Sequence, residues 1–161
     1  HVNRNPMLYK QTIQFALQGG IIDLTCGMTG SAIPVPQAVK QALDAGVPLE
    51  RLTLSSDGNG SMPKFNENNE LIGLTAAAPR YLYEEMLSIV KAGVLPFEKA
   101  LQLITCNVAD ALKLEDKGRI AVGKDADLIV WNDDLTLNKV FARGRLMVDK
   151  GQAVVKGTFE N

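Results

Sequence analysis

Apolar residues between positions 6 and 19 fall loosely at helical spacing (Leu8, Ile13, Phe15, Ala16, Leu17), with Pro6 suited to a first turn and Gly19-Gly20 as a stop. The pattern predicts a helix. IIDLT, residues 21–25, is a short β-branched run bounded by glycine, which predicts a buried strand. A second helix is expected over 36–45, where Val39 and Leu43 stand at i and i+4 and Gly46 ends the run. Residues 51–56 read as the next strand. Helix, strand, helix, strand with short connections is the alternation that builds a parallel sheet covered by helices. In such sheets ligands sit at the carboxyl ends of the strands. Asp57 stands at such an end, in LTLSSDGNGS, where an apolar run stops at a carboxylate and breaks into glycines.

Residues 58–73 read as a long polar loop. Beyond it Leu82, Met86, Ile89 and Val90 form a stripe at i, i+4, i+7 and i+8, which predicts a helix over 81–92. Phe97, Ala100, Leu101 and Ile104 repeat the spacing after Pro96, and Asn107 is placed to cap a last helical turn through Leu112. From Gly118 the texture changes. ADLIVW, NKVFA, RLMV and QAVV alternate apolar and polar positions, with Gly144 and Gly151 between them, which predicts an antiparallel module of three or four strands. The division is expected at 1–113 and 114–161.

With 161 residues, 46% hydrophobic, 22% charged and a net charge of -1, the chain has an ordinary globular composition, enough for one or two small domains. An isoelectric point near 5.9, without a basic stripe, argues against nucleic acid as a partner. No apolar stretch approaches the roughly 20 residues a spanning helix needs, so a membrane is not expected either. Cys26 and Cys106 lack CxxC spacing, which fits a reducing cytoplasm better than a disulfide scaffold. The opening HVNRN has neither an initiator methionine nor a charged leader, and a fragment or processed chain is expected.

Few residues are equipped for chemistry. His1 is the single histidine, so a zinc site of His/Cys type cannot be completed from this sequence, and a first-residue histidine is also a common tag remnant. Asp57 could ligate a metal and hold the proton of a metal-bound water, or cap a turn in glycine-rich SDGNG. Arg4 could clamp a substrate carboxylate through its planar fork, or be a solvated surface arginine, and Ser61 is equally ambiguous. Cys26 has no second histidine to activate it and reads as a small buried hydrophobe.

HVNRN, LTLSSDGNGS and KGRIAVGKDADLIVW followed by VFARGRLMV together resemble the C-terminal portion of the bacterial isoaspartyl (beta-aspartyl) dipeptidases, within the amidohydrolase superfamily. The resemblance covers essentially the whole chain. Its third stretch is common to the superfamily, whereas the first two point to the dipeptidase branch. It implies an α/β fold: the last strands and helices of a (β/α) TIM-like barrel, then part of a small antiparallel β-domain. It also implies that His1 ligates one metal of a binuclear zinc centre, and that Asp57 ligates the other and shuttles the proton of the water between them. Arg4 and Ser61 would hold a carboxylate of the isoaspartyl dipeptide, with 58–60 as the loop that brings Ser61 there. The implied reaction is hydrolysis of an amide formed through an aspartyl side chain.

The family's HxH pair, carboxylated lysine and further histidine have no counterpart among these residues, and an eight-stranded barrel needs about 250 residues. The chain by itself is therefore expected to be inactive. It is also expected to form a homo-oligomer that buries its open sheet edges by pairing or by exchanging elements. Two other readings stand beside this one. One is a dihydroorotase-like or deacetylase-like amidohydrolase; the other is a non-catalytic α/β module acting in assembly.

Overall fold

The computed structural model describes residues 1–28, 32–68 and 70–157. It is a mixed α/β structure that divides into two compact units, His1–Leu112 and Lys113–Asn161.

The first unit opens with a 3-10 turn at Val2–Arg4 and helix α1 at Pro6–Leu17. Asn5 caps α1, its side-chain oxygen accepting from the Met7 and Leu8 amides at 2.9 and 3.3 Å, which satisfies two donors that a helix start leaves open. β1 (Ile22–Thr25), α2 (Val35–Asp44) and β2 (Leu52–Ser55) follow. β1 and β2 pair in parallel, with Ile22 beside Leu52, Asp23 beside Thr53, Leu24 beside Leu54 and Thr25 beside Ser55. Because side chains alternate across a strand, this register sorts the pair into an apolar face and a polar face. Ile22, Leu24, Leu52 and Leu54 are buried in the core with Val35, Ala38 and Val39 of α2. On the polar face Asp23 accepts from the Thr53 and Ser55 hydroxyls at 2.9 and 2.5 Å, bridging the two strands.

α3 (Tyr81–Lys91), α4 (Phe97–Gln102) and α5 (Cys106–Ala111) complete the unit. Met86, Ile89, Ala100 and Leu103 are fully buried, so the stripes at helical spacing are core faces. Full burial of each larger side chain contributes about 1.5 to 3 kcal/mol. Asn107 does not cap. It lies inside α5, buried, and its carboxamide donates to the carbonyls of Leu49 and Leu52 at 2.8 and 2.9 Å. Those carbonyls flank the entry to β2, where a polar helix residue satisfies backbone that the two-stranded ladder leaves open. Residues 58–73 also differ from expectation: β3 (Ser61–Phe65) and β4 (Leu71–Ala76) form an antiparallel hairpin. Pro63, Lys64 and the polar turn residues that Asn66 organises disguised two short strands as a loop.

The second unit is a four-stranded antiparallel sheet in the order β5 (Leu128–Trp131), β6 (Leu137–Ala142), β7 (Arg145–Asp149), β8 (Gln152–Ala153). Two-residue turns at Arg143-Gly144 and Lys150-Gly151 have positive φ at both positions, the geometry whose twist matches a hairpin. Lys117 bridges Asp125, at 2.7 Å, and Asp127, while the Arg143 backbone amide donates to Asp127 at 2.8 Å and its side chain reaches Asp125 at 3.3 Å. The KGRIAVGKDADL stretch is therefore a charged clasp that closes the start of the sheet onto a turn. The Lys117 hydrogen bond, ahead of Arg143, holds both carboxylates below their usual range. A carboxylate depressed in the folded state stabilises at pH above its ordinary pKa, and that stabilisation disappears as pH falls through the depressed value. Thermal unfolding followed between neutral pH and about pH 2 should show a destabilisation below about pH 4 that is shallower in Lys117→Met.

Candidate functional site

His1 and Asp57, placed by sequence at different elements, come together. His1 Nε2 lies 3.3 Å from Asp57 Oδ2, with both side chains a little under half exposed. The other ring nitrogen, Nδ1, lies 2.6 Å from the hydroxyl of Thr25, the last residue of β1. The Cys26 amide continues the strand pair by donating to Ser55 O at 2.8 Å, so both chains leave the sheet side by side. The site thus occupies the carboxyl ends of parallel strands, where the ladder stops and side chains face open space.

The loop that carries Asp57 is tightly specified. Asp57 and Asn59 have φ of 51° and 65°, a left-handed conformation that Asp and Asn tolerate better than other side chains. The Gly60 amide donates to Asp57 O at 2.8 Å, and the loop is tied to Ala77 by Asn59 N to Ala77 O at 2.9 Å and Ala77 N to Gly60 O at 2.8 Å. A methyl group on Gly60 would sit 2.8 Å from the Asp57 carbonyl and 3.1 Å from its carboxylate. Glycine is required there by the carboxylate's own position.

Arg4 ends the turn that His1 begins, and Ser61 starts β3 directly after Gly60. Both are exposed at positions flanking the His1–Asp57 pair in sequence, and no hydrogen bond of the described residues engages the Arg4 guanidinium or the Ser61 hydroxyl. Cys26 is buried, and that burial, then the charges of Glu85 and Asp23, push its thiol up to about 12. This is an inert sulfur, as its sequence context suggested.

Sequence reasoning missed Asn3, Thr25 and Asp23. The signal was present: IDLT and LTLS alternate apolar with polar residues, whereas strands buried on both faces run continuously apolar. Polar residues at every second position mark one face of this strand pair as polar, and Asp23 and Thr25 share it.

An imidazole nitrogen and a carboxylate oxygen are donors that zinc accepts, but a zinc centre takes three or four protein ligands. Among the described residues no group of three or more His, Cys, Asp or Glu side chains could hold a metal ion. The pair suits part of a centre in donor type and falls short of one in number. Among those residues, too, no helix is long and apolar enough to cross a membrane.

Residues 33–158 match the model of the amidohydrolase family, and the chain belongs to that family. Of solved structures, the beta-aspartyl dipeptidase of Fervidobacterium islandicum AW-1, in complex with the beta-Asp-Leu dipeptide, superposes with a TM-score of 0.83 at 31% identity, covering 98% of this chain and 41% of that one. Among curated relatives, adenine deaminase 1 of Carboxydothermus hydrogenoformans is 30% identical over 104 residues, 63% of this chain and 17% of that protein. Imidazolonepropionase of Anaeromyxobacter sp. (strain K) is 35% identical over 112 residues, 70% of this chain and 22% of that protein. The chain thus spans about a fifth of the length of these curated relatives.

The Gly60 contact generates a test. Gly60→Ala should lower unfolding free energy in urea by about 1 to 3 kcal/mol, the usual range for forcing a methyl group into filled space; an unchanged midpoint would mean that the Asp57 loop is not held as described.

Proposed function

We propose that this chain is the C-terminal portion of a metal-dependent isoaspartyl dipeptidase, comprising the end of a (β/α) barrel and part of a small β-domain. The observation that carries the reading is the apposition of His1 and Asp57 at 3.3 Å on the carboxyl ends of a parallel strand pair. The likeness to a dipeptidase that binds beta-Asp-Leu over 98% of this chain supports the substrate class. Names of the curated relatives vary, so the dipeptide is argued from the site and the structural likeness together.

In this reading His1 and Asp57 each ligate one of two zinc ions, which when bound polarise the scissile carbonyl and activate water. Asp57 takes a proton from the attacking side and returns it to the departing amine, the task of a carboxylate within reach of both. Arg4 pairs with a substrate carboxylate through a two-pronged contact, and Ser61 adds a hydroxyl donor. The remaining ligands lie outside these 161 residues, so the chain alone is inactive.

The test is hydrolysis of isoaspartyl-leucine, with zinc, by the complete protein and by the 161-residue chain. The complete protein should cleave it, Asp57→Asn should lower kcat about 100-fold to 10,000-fold, and the short chain should show no turnover. Release of ammonia from adenine, with the dipeptide untouched, would replace this reading with a deaminase.

We also propose a homo-oligomer, with β4 as its seam. Leu71, Ile72 and Leu74 are 62%, 56% and 72% exposed, and β4 pairs only with β3 among the described residues. Pro63 and Lys64 blunt the free edge of β3, whereas LIGLTA of β4 carries neither charge nor proline. Two copies related by a two-fold axis set like residues opposite one another, and an uncharged strand does so without repulsion. Solution scattering should give an oligomer that Ile72→Lys shifts toward smaller species; a monodisperse wild-type monomer would contradict it.

A further inference from the structure

The two ring nitrogens of His1 meet different chemistry. Nε2 faces the Asp57 carboxylate, which only accepts, while Nδ1 faces the Thr25 hydroxyl, which can both donate and accept. A carbonyl or carboxylate beside Nδ1 would fix that nitrogen in its N–H form. A hydroxyl does not. With the proton on Nε2, aimed at Asp57, Thr25 donates to bare Nδ1. With the proton on Nδ1, Thr25 accepts and Nε2 is bare, as an imidazole must be to ligate a cation. The change costs Thr25 no proton: its O–H turns about the Cβ–Oγ1 bond, while the ring, 47% exposed, loses one proton to water and gains another from it.

Thr25 is itself held with unusual completeness. Asn3 is fully buried, accepts from the Thr25 amide at 3.0 Å and donates to the Thr25 carbonyl at 3.1 Å, imitating the paired contacts of an antiparallel neighbour. Its second N–H donates to Ile33 O at 3.2 Å, and its own carbonyl accepts from the Ile33 amide at 2.8 Å. Asn3 stands two residues beyond His1 on the same 3-10 turn, closed by Arg4 N to His1 O at 3.1 Å. One turn therefore supplies both the ring and the clasp that sets the ring's partner.

We propose that Thr25 is a positioning residue for His1: its hydroxyl holds the imidazole in one orientation toward Asp57 through either tautomer, and Asn3 fixes that hydroxyl in place. The inference rests on His1 and Asp57 being the working pair, and goes beyond the residues that the dipeptidase reading assigns.

With one histidine in the chain, ring 15N spectra report on His1 alone. At a pH well above the ordinary imidazole value of about 6.5, and without a cation between His1 and Asp57, the carboxylate selects the Nε2–H form, so wild type should show a protonated Nε2 and a bare Nδ1 shifted by the hydrogen bond it accepts from Thr25. In Thr25→Val, which keeps the shape and drops the oxygen, the Nδ1 resonance should move to the position of an unbonded nitrogen; Thr25→Ser should retain the wild-type value. In the complete protein Thr25→Val should weaken zinc binding about 10-fold to 100-fold, the range for losing a partner behind a ligand. Averaged, free-imidazole shifts in wild type would overturn the proposal whether or not the variants fold, as would a Thr25→Val spectrum identical to wild type. Failure to cleave isoaspartyl-leucine, with the ring shifts as expected, would remove the dipeptidase reading and leave the positioning role standing.

Discussion

The parallel register of β1 and β2 is the constraint on which the first unit depends. Pairing Ile22 with Leu52 and Leu24 with Leu54 gives the helices a continuous apolar face, and the same register sets Asp23 beside Thr53 and Thr25 beside Ser55. A slip of one residue would exchange the faces, burying a carboxylate against Val39 and Leu103 at a cost of several kcal/mol. The site inherits its position from this choice. Thr25 can address His1 because Leu24 is committed to the core.

Backbone satisfaction decides much of the remainder. Two parallel strands leave outer edges whose amides and carbonyls need partners, and buried carboxamides supply some of them. Asn3 covers the end of β1 and Asn107 covers the entry to β2, each by hydrogen bonds to backbone, while Asn107 Oδ1 also accepts from Cys106 Sγ at 3.6 Å. Leu103 O accepts from the Leu54 amide at 3.0 Å, adding a third such stitch from the end of α4. The two asparagines are polar because of what they bond, and burial would otherwise count against them.

Helices and apolar strands were legible because their evidence is periodic: stripes such as Leu82, Met86, Ile89 and Val90 can pack only on one side. The two-residue hairpin turns were legible from Gly144 and Gly151. The β3–β4 hairpin was not, since all six positions of β4 are exposed and carry no burial pattern to read, and Pro63 argues against a strand. Asp57 was visible from its place after an apolar run. Its meeting with His1, 56 residues away in sequence, depends on strand order and on the Asn3 clasp, neither of which has local periodicity. Asn107 shows the same limit: one residue type serves as cap or as internal stitch, and only the neighbouring backbone decides.

The names of the relatives divide over a span that is mostly scaffold. The family match runs from residue 33 to 158, which includes α2 to α5, Asp57 and the Lys117, Asp125, Asp127 and Arg143 clasp. Most of these are devices for closing a sheet and placing one carboxylate. His1, Asn3, Arg4 and Thr25 all precede that span. In the proposed reading Arg4, on the turn that His1 begins, brings the charge that pairs with a substrate carboxylate, and Ser61 brings a hydroxyl. The matched span is mostly scaffold, and a shared scaffold does not carry a shared substrate, so relatives of different activity resemble this chain to similar degrees.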